Sequence, residues 1–240
     1  MPILAIENLS KSFGAIKVAD DLSFSLQAGE ALGIIGPNGA GKSSLFNLIT
    51  GNLRPDLGQI FLEEKNITKM PPYQRSRAGI GRTYQIPQPF ANMTVFENVL
   101  VSASFGHGRR ERQSYDGCGL LLEKTGLLRK ANALAGTLTL LERKKLELAR
   151  ALASSPRLLL MDEIAAGLTE PEAAELVADI KEIHAAGTAI IWVEHVIHAL
   201  IAVVGRLLVI NFGAKVMDGE PNMVLGSAEV KRIYMGIEVA

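Results

Sequence analysis

Gly36-Pro37-Asn38-Gly39-Ala40-Gly41-Lys42-Ser43 is a full match to G-x-x-x-x-G-K-[ST], a spacing suited to cradling phosphates. The glycines let successive backbone N–H groups turn inward, and a helix starting at the loop adds the positive end of its dipole. Lys42 is expected to supply a point charge for β- and γ-phosphates, and the Ser43 hydroxyl to ligate Mg²⁺. Asn38, Gly39, Gly41 and Ser44 complete the nucleotide-binding set expected of this loop. Binding becomes hydrolysis only with an acid or base at hand. Asp162-Glu163 follows the apolar run Leu158-Leu159-Leu160-Met161. At the end of a buried strand, Asp162 can reach a Mg²⁺ shell through water. Glu163 points elsewhere and can polarise the water that attacks a γ-phosphate. His195 closes a second apolar run in the same way. Parallel sheets gather their sites at strand C-termini, so His195 is expected beside Glu163, hydrogen-bonding the γ-phosphate and orienting the water. His107, His184 and His198 sit in surface-like contexts without metal-ligand spacing.

The elements that must hold these groups are readable around them. Ala31–Ile35 reads as a buried strand feeding the loop, and Ser44–Thr50 as a helix closed by Gly51. Leu4–Asn8 and Leu22–Leu26 read as an N-terminal antiparallel pair, with Gln59–Leu62 a further strand. Pro87 and Pro89 forbid regular structure after Gln85. From Thr94, a capping box with Glu97 opens a helix to about Ser104. A polar patch, Gly106 to Arg112, separates it from helices at Tyr115–Lys124 and Leu141–Ala153, the last with Lys144, Lys145 and Arg150 as a basic flank. This predicts a helical lobe from roughly 90 to 155, inserted between nucleotide-binding α/β segments 1–89 and 156–240 of a single domain. Thr169 and Glu172 cap the next helix; Thr188–Val193, Arg206–Asn211 and Lys215–Asp218 read as strands, and Ser227–Tyr234 as a last helix.

Composition narrows the function classes. The chain has 240 residues, 25 basic against 25 acidic, and no long basic stripe, which argues against a nucleic-acid partner. Its single cysteine, Cys118, excludes an internal disulfide and a multi-cysteine zinc site. Met1-Pro2-Ile3-Leu4 runs into a strand pattern, so no signal peptide is expected, and no apolar run reaches membrane-spanning length. A GTPase would need an Asn-Lys-x-Asp element, which is absent. Arg109 and Arg110 make a poor lid for a small-molecule kinase, since no acceptor site accompanies them.

Taken together, these residues resemble the ATP-binding subunits of ABC transporters, and most closely those of branched-chain amino-acid uptake systems. The resemblance runs through Gly36–Gly51, Arg82-Thr83-Tyr84-Gln85, Met93–Val99, Asp162–Leu168 and Tyr234-Met235-Gly236. It implies an α/β fold: a P-loop NTPase core (a RecA-like mixed sheet) with an N-terminal antiparallel β-subdomain and an inserted helical subdomain. It places Glu163 as catalytic glutamate, His195 as switch histidine, and Gln85 as the residue that senses Mg²⁺ and water and touches the membrane subunit. Phe13 takes the place of the aromatic that stacks on adenine, with Val18 in the same nucleotide-facing turn. Ser43, Gln85 and Asp162 become the Mg²⁺ set, and ATP the nucleotide.

The implied partners are a second ABC ATPase subunit, homologous or identical, integral membrane permease subunits and, indirectly, a substrate-binding protein, at the cytoplasmic face of the inner membrane. The alternative is a non-transport ABC ATPase, an ATP-dependent clamp on nucleic acid or a protein complex. One stretch departs from the family. Leu138-Thr139-Leu140-Leu141-Glu142 stands where a Leu-Ser-Gly-Gly-Gln-like signature is expected. Thr139 keeps the hydroxyl for the opposite subunit's nucleotide, but leucines replace both glycines and Glu142 brings a negative charge. Either this form is tolerated, or the site it serves is weak; a pair of different ATPase subunits would then have unequal sites, with glycine at positions 140 and 141 raising activity mainly at the site built on the partner.

Overall fold

The structure, a computed structural model, describes residues 1–107 and 114–235. Arg109 and Arg110, most of the 106–112 patch, and Gly236 lie outside those residues. The first sheet contains β1 (Pro2–Phe13), β2 (Ile16–Gln27), β4 (Leu57–Leu62) and β5 (Lys65–Asn66), all antiparallel in the order β2-β1-β4-β5. The hairpin strands run well beyond the expected 4–8 and 22–26. Asn8 and Asp21 break the apolar alternation, but both take left-handed φ at register shifts and join through Asn8 Nδ2 to Asp21 Oδ1 at 2.9 Å. A bulge therefore continues the pairing where the pattern stops.

The second sheet holds β3 (Ala31–Ile35), β6 (Ile80–Arg82), β7 (Leu158–Asp162), β8 (Ala189–Val193), β9 (Arg206–Asn211) and β10 (Ala214–Gly219). Its order is β10-β9-β3-β8-β7-β6, parallel throughout except for the β10 edge. Every residue of β3, β7 and β8 is buried because both faces are covered. The strand period of two sorts their side chains. Leu32, Ile34, Leu160 and Val193 face Phe46 and Ile49 of α1 (Lys42–Thr50) and the first sheet. Ile35, Met161, Ile190 and Trp192 face Leu176 and Ile180 of α6 (Glu170–Ala185).

Between β5 and β6, α2 (Pro72–Arg77) is a short helix that the sequence reading does not assign. Pro72 occupies the first turn, where a missing N–H is harmless. Its Arg75, 1% exposed, donates to the carbonyls of Leu48, Ile49, Thr68 and Met70 at 2.7–2.8 Å. Those bonds satisfy the open C-terminal end of α1 and anchor the helix that carries the phosphate loop. Burial pushes the Arg75 guanidinium down to about 10.

Helices α3 (Val95–His107), α4 (Tyr115–Lys124) and α5 (Leu140–Ala153) share a separate apolar core that includes Val95, Val99, Cys118, Leu122, Leu146 and Ala149. The Thr94 cap forms as expected, with Glu97 Oε2 accepting from Thr94 N at 2.7 Å. Leu148 and Ala151, on another face of α5, belong to the core over the main sheet. The helix therefore joins lobe to sheet. After β8 come α7 (Ile197–Ile201), α8 (Pro221–Gly226) and α9 (Ala228–Met235). No helix among the described residues is long and apolar enough to cross a membrane.

Candidate functional site

The phosphate loop joins the C-terminal end of β3 to α1 and has no room for side chains where it packs on its neighbours. A Cβ on Gly36 would lie 2.1 Å from the Ile210 carbonyl oxygen, and one on Gly41 (φ +104) 2.2 Å from that of Val18. Gly41 caps α1 without any side-chain hydrogen bond, and no acidic residue sits in the first turn. The helix thus presents uncapped N–H groups and positive dipole to an anion. Asn38, Gly39 and Ser43 are exposed at this mouth, with Ser44 half-buried. Lys42 is 6% exposed, and its ammonium donates to Gly36 O at 2.6 Å and Pro37 O at 2.9 Å. Burial pulls Lys42 below the ordinary lysine range, while Glu163 and Asp162 oppose the shift.

Three expected residues meet at the end of β7. Glu163 Oε2 accepts from Gln85 Nε2 at 2.6 Å, and its Oε1 lies 2.9 Å from His195 Nε2. The register of β7 with β8, Asp162 opposite Val193, brings the two strand ends level. Glu163 turns away from Asp162 by adopting φ 46°, with its N–H donating to Val193 O at 2.8 Å. A carboxylate held between an amide and an imidazole can accept a proton from water and keep its direction while doing so.

Asp162, 6% exposed, pairs with Arg82 Nη2 at 3.1 Å, and Arg82 Nη1 donates to Asn47 Oδ1 at 2.6 Å. Burial raises the Asp162 carboxyl above its usual range, and Arg82 opposes that. Sequence alone gives Arg82 no role of its own, since nothing local connects it to a residue 80 positions away. Arg82→Met should lower stability at neutral pH by roughly 3–5 kcal/mol, because it strands a buried carboxylate. Asp162 escapes that cost by protonating, and its folded pKa is already raised. The deficit should therefore shrink as pH falls below that pKa and return as pH rises through it. Urea melts at several pH values read this, and a pH-independent deficit would contradict it.

Glu194 is also missing from the sequence reading. It is fully buried and accepts from Ala165 N at 2.8 Å and His195 N at 2.9 Å, fixing the chain on both sides of the His195–Glu163 contact. Lys144 and Lys145, expected as a basic flank, are 2% and 5% exposed. Helix α5 is covered by lobe on one side and by sheet and α6 on the other, which leaves neither lysine a solvent face.

The remaining candidates lie apart from this group. Val18 backs the loop through its carbonyl at Gly41. Phe13 stands 53% exposed at the turn from β1 to β2, with Lys11 Nζ 5.5 Å from its ring centre. Thr139 caps α5 and exchanges hydrogen bonds with Glu142, from Glu142 N to its Oγ1 at 3.4 Å and from its N to Glu142 Oε2 at 3.0 Å. The Glu142 carboxylate thus folds back over its own helix start, where Lys130 Nζ pairs with it at 2.5 Å. Burial opposes ionisation there, but Lys130 and the Thr139 N–H hold the carboxyl below its usual range.

Among the described residues, no three His, Cys, Asp or Glu groups come together to cage a metal. The oxygen donors present, Ser43 Oγ, Gln85 Oε1 and Asp162, fit a Mg²⁺ ion bound mainly through phosphates and water.

A family model described as ABC transporter matches residues 19–166. The high-affinity branched-chain amino acid transport ATP-binding protein LivG of Salmonella typhimurium is 33% identical over 252 residues, covering 98% of each chain. The lipopolysaccharide export system ATP-binding protein LptB of Haemophilus influenzae is 30% identical, also over 98% of each chain. A crystal structure of the ADP conformation of MJ1267, an ATP-binding cassette of an ABC transporter, superposes with a TM-score of 0.90 at 33% identity, covering 99% of this chain and 100% of that one.

Proposed function

The chain belongs to the ABC transporter family of ATP-binding proteins, and we propose that it powers an importer of branched-chain amino acids or a related small solute. As a member it is an ATPase that works with membrane permease components and is peripheral to the membrane. The observation that carries the catalytic part is the meeting of Gln85, Glu163 and His195 at the end of β7, on the same edge of the sheet as the phosphate loop. In this reading Glu163 accepts the proton of the attacking water, while Gln85 and His195 hold the carboxylate in direction. Lys42 and the N–H groups of Asn38, Gly39, Gly41 and Ser44 hold the phosphates, and Phe13 and Val18 receive the base. Ser43, Gln85 and Asp162 hold Mg²⁺, which supplies charge neutralisation on the β- and γ-phosphates.

The partner surface follows the same reading. A groove of about 520 Å³ runs between α2, the chain after β6 and the helical lobe. Tyr73, Tyr84, Phe90 and Phe105 line it at 47–72% exposure, with Arg77 and Arg150 among them. Exposed aromatics and arginines in a cleft suit a protein partner, here a permease subunit at the cytoplasmic face of the inner membrane. The groove lies next to Gln85, so closure of two ATPase subunits on ATP can be passed to the membrane.

The second ATPase subunit is expected to be a homologue rather than a copy. The start of α5 spends its Thr139 hydroxyl and N–H on Glu142, and Leu140 is 45% exposed where the family signature has glycine. The solute assignment rests on likeness to LivG, whereas likeness to LptB favours an export system. One reconstitution with permease and binding-protein partners tests both points. ATP turnover should rise with a binding protein loaded with a branched-chain amino acid. Losing this chain's Glu163 should cost a different share of turnover than losing the partner's equivalent glutamate. Stimulation by lipopolysaccharide alone would overturn the solute assignment, and equal losses would remove the asymmetry.

A further inference from the structure

Lys144 lies one turn inside α5, and its ammonium sits 3.5 Å from the main-chain carbonyl oxygens of both Gln85 and Glu163. Those are the two residues whose side chains meet at 2.6 Å. Two carboxylates, Glu163 and the fully buried Glu194, act on the ammonium electrostatically. Burial draws Lys144 below the ordinary lysine range, and both carboxylates oppose that. A buried ammonium is costly, and an apolar side chain would fill the helix position more cheaply. What it does gain is a hold on the chain where the chain is strained. Glu163 keeps its left-handed φ of 46° through three contacts: its N–H on Val193 O, and its carbonyl accepting from Ala166 N and Lys144 Nζ. Only the lysine contact comes from the helical lobe.

We infer that Lys144 is a positioning residue for hydrolysis, clamping the main chains of Gln85 and Glu163 so that the lobe sets the direction of the reacting carboxylate. The inference rests on the reading of Glu163 as the proton acceptor. Because α5 contributes apolar residues to both cores, the clamp stands where lobe and sheet meet. Lys145 supplies an internal control on the same helix. It is nearly as buried, but it pairs with Glu175 at 2.7 Å and Asp179 at 2.9 Å on α6, away from the reacting groups.

Amide hydrogen exchange on the full chain without nucleotide reads the clamp directly. Lys144→Met should speed exchange by about tenfold or more in segments 84–90 and 163–168, leaving α1 and β4 as in wild type. Lys144→Arg should restore protection, and Lys145→Met should leave both segments unchanged. In turnover assays, Lys144→Met should lower kcat on the order of 10- to 100-fold with KM changed by less than about threefold. Unchanged exchange, or a uniform rise across the chain, overturns the clamp. A local rise with unaltered kcat reduces Lys144 to a structural residue and overturns its positioning role. If Lys144→Met does not fold, Lys144→Met/Glu194→Gln relieves the buried carboxylate and must still show the rise in segment 84–90 over Glu194→Gln alone. The exchange measurement needs neither nucleotide nor partner. Turnover is read with the partner ATPase subunit present; its absence in that wild-type complex would count against the hydrolytic reading, while exchange still decides the clamp.

Discussion

Glu163→Gln should lower ATP turnover by about 10²–10⁴-fold while leaving nucleotide binding intact. The substitution keeps the side chain's length and an oxygen able to accept from Gln85 Nε2, which now reaches Glu163 at 2.6 Å. The left-handed backbone and the N–H bond to Val193 O do not depend on the carboxylate. What disappears is the capacity to take a proton, so the loss should fall on kcat rather than on affinity. Phosphate release under saturating ATP, beside a direct binding titration, separates the two. Turnover within about tenfold of wild type would remove Glu163 as the base and point to His195, 2.9 Å away, as the proton acceptor. His195→Ala would then show the deep loss expected here for position 163.

The phosphate loop was legible because one contiguous stretch carries the turn, the charge and the hydroxyl, and because apolar runs on either side of it mark strand and helix. The Glu163–His195 contact was legible for a related reason. Both residues end fully apolar runs, and parallel neighbours put such ends on one edge of the sheet. Residues whose roles depend on distant partners were not. Arg82 meets Asp162 across 80 positions, and Lys144 meets Gln85 across 59. Adjacent lysines on a helix look solvated unless the helix is known to be covered on both sides, as α5 is. The Glu142 charge could not be assessed from sequence because its effect depends on a rotamer, and Lys130 with the Thr139 N–H selects the one folded onto its own helix.

Lys42→Met should weaken ATP binding by at least about 30-fold, the cost of losing a charge-assisted contact to phosphate in a partly desolvated loop. The same change should do little harm to the chain without nucleotide. There, the ammonium is bonded to the Gly36 and Pro37 carbonyls, and burial has already drawn it below the ordinary lysine range. A folded pKa below the unfolded value means that carrying the charge costs stability at neutral pH, a cost that fades as pH rises towards the ordinary lysine range. Methionine removes that cost and fills similar volume, offsetting the two carbonyls it leaves without a donor. Thermal melts with and without ATP read both effects at once. Wild type should gain stability with ATP concentration as RT ln(1 + [ATP]/Kd) requires, while the variant should start from a similar Tm and gain little. An ATP-dependent gain equal to wild type would show that the backbone cradle and the α1 dipole hold the phosphates unaided, with the lysine serving only to brace the loop it now bonds.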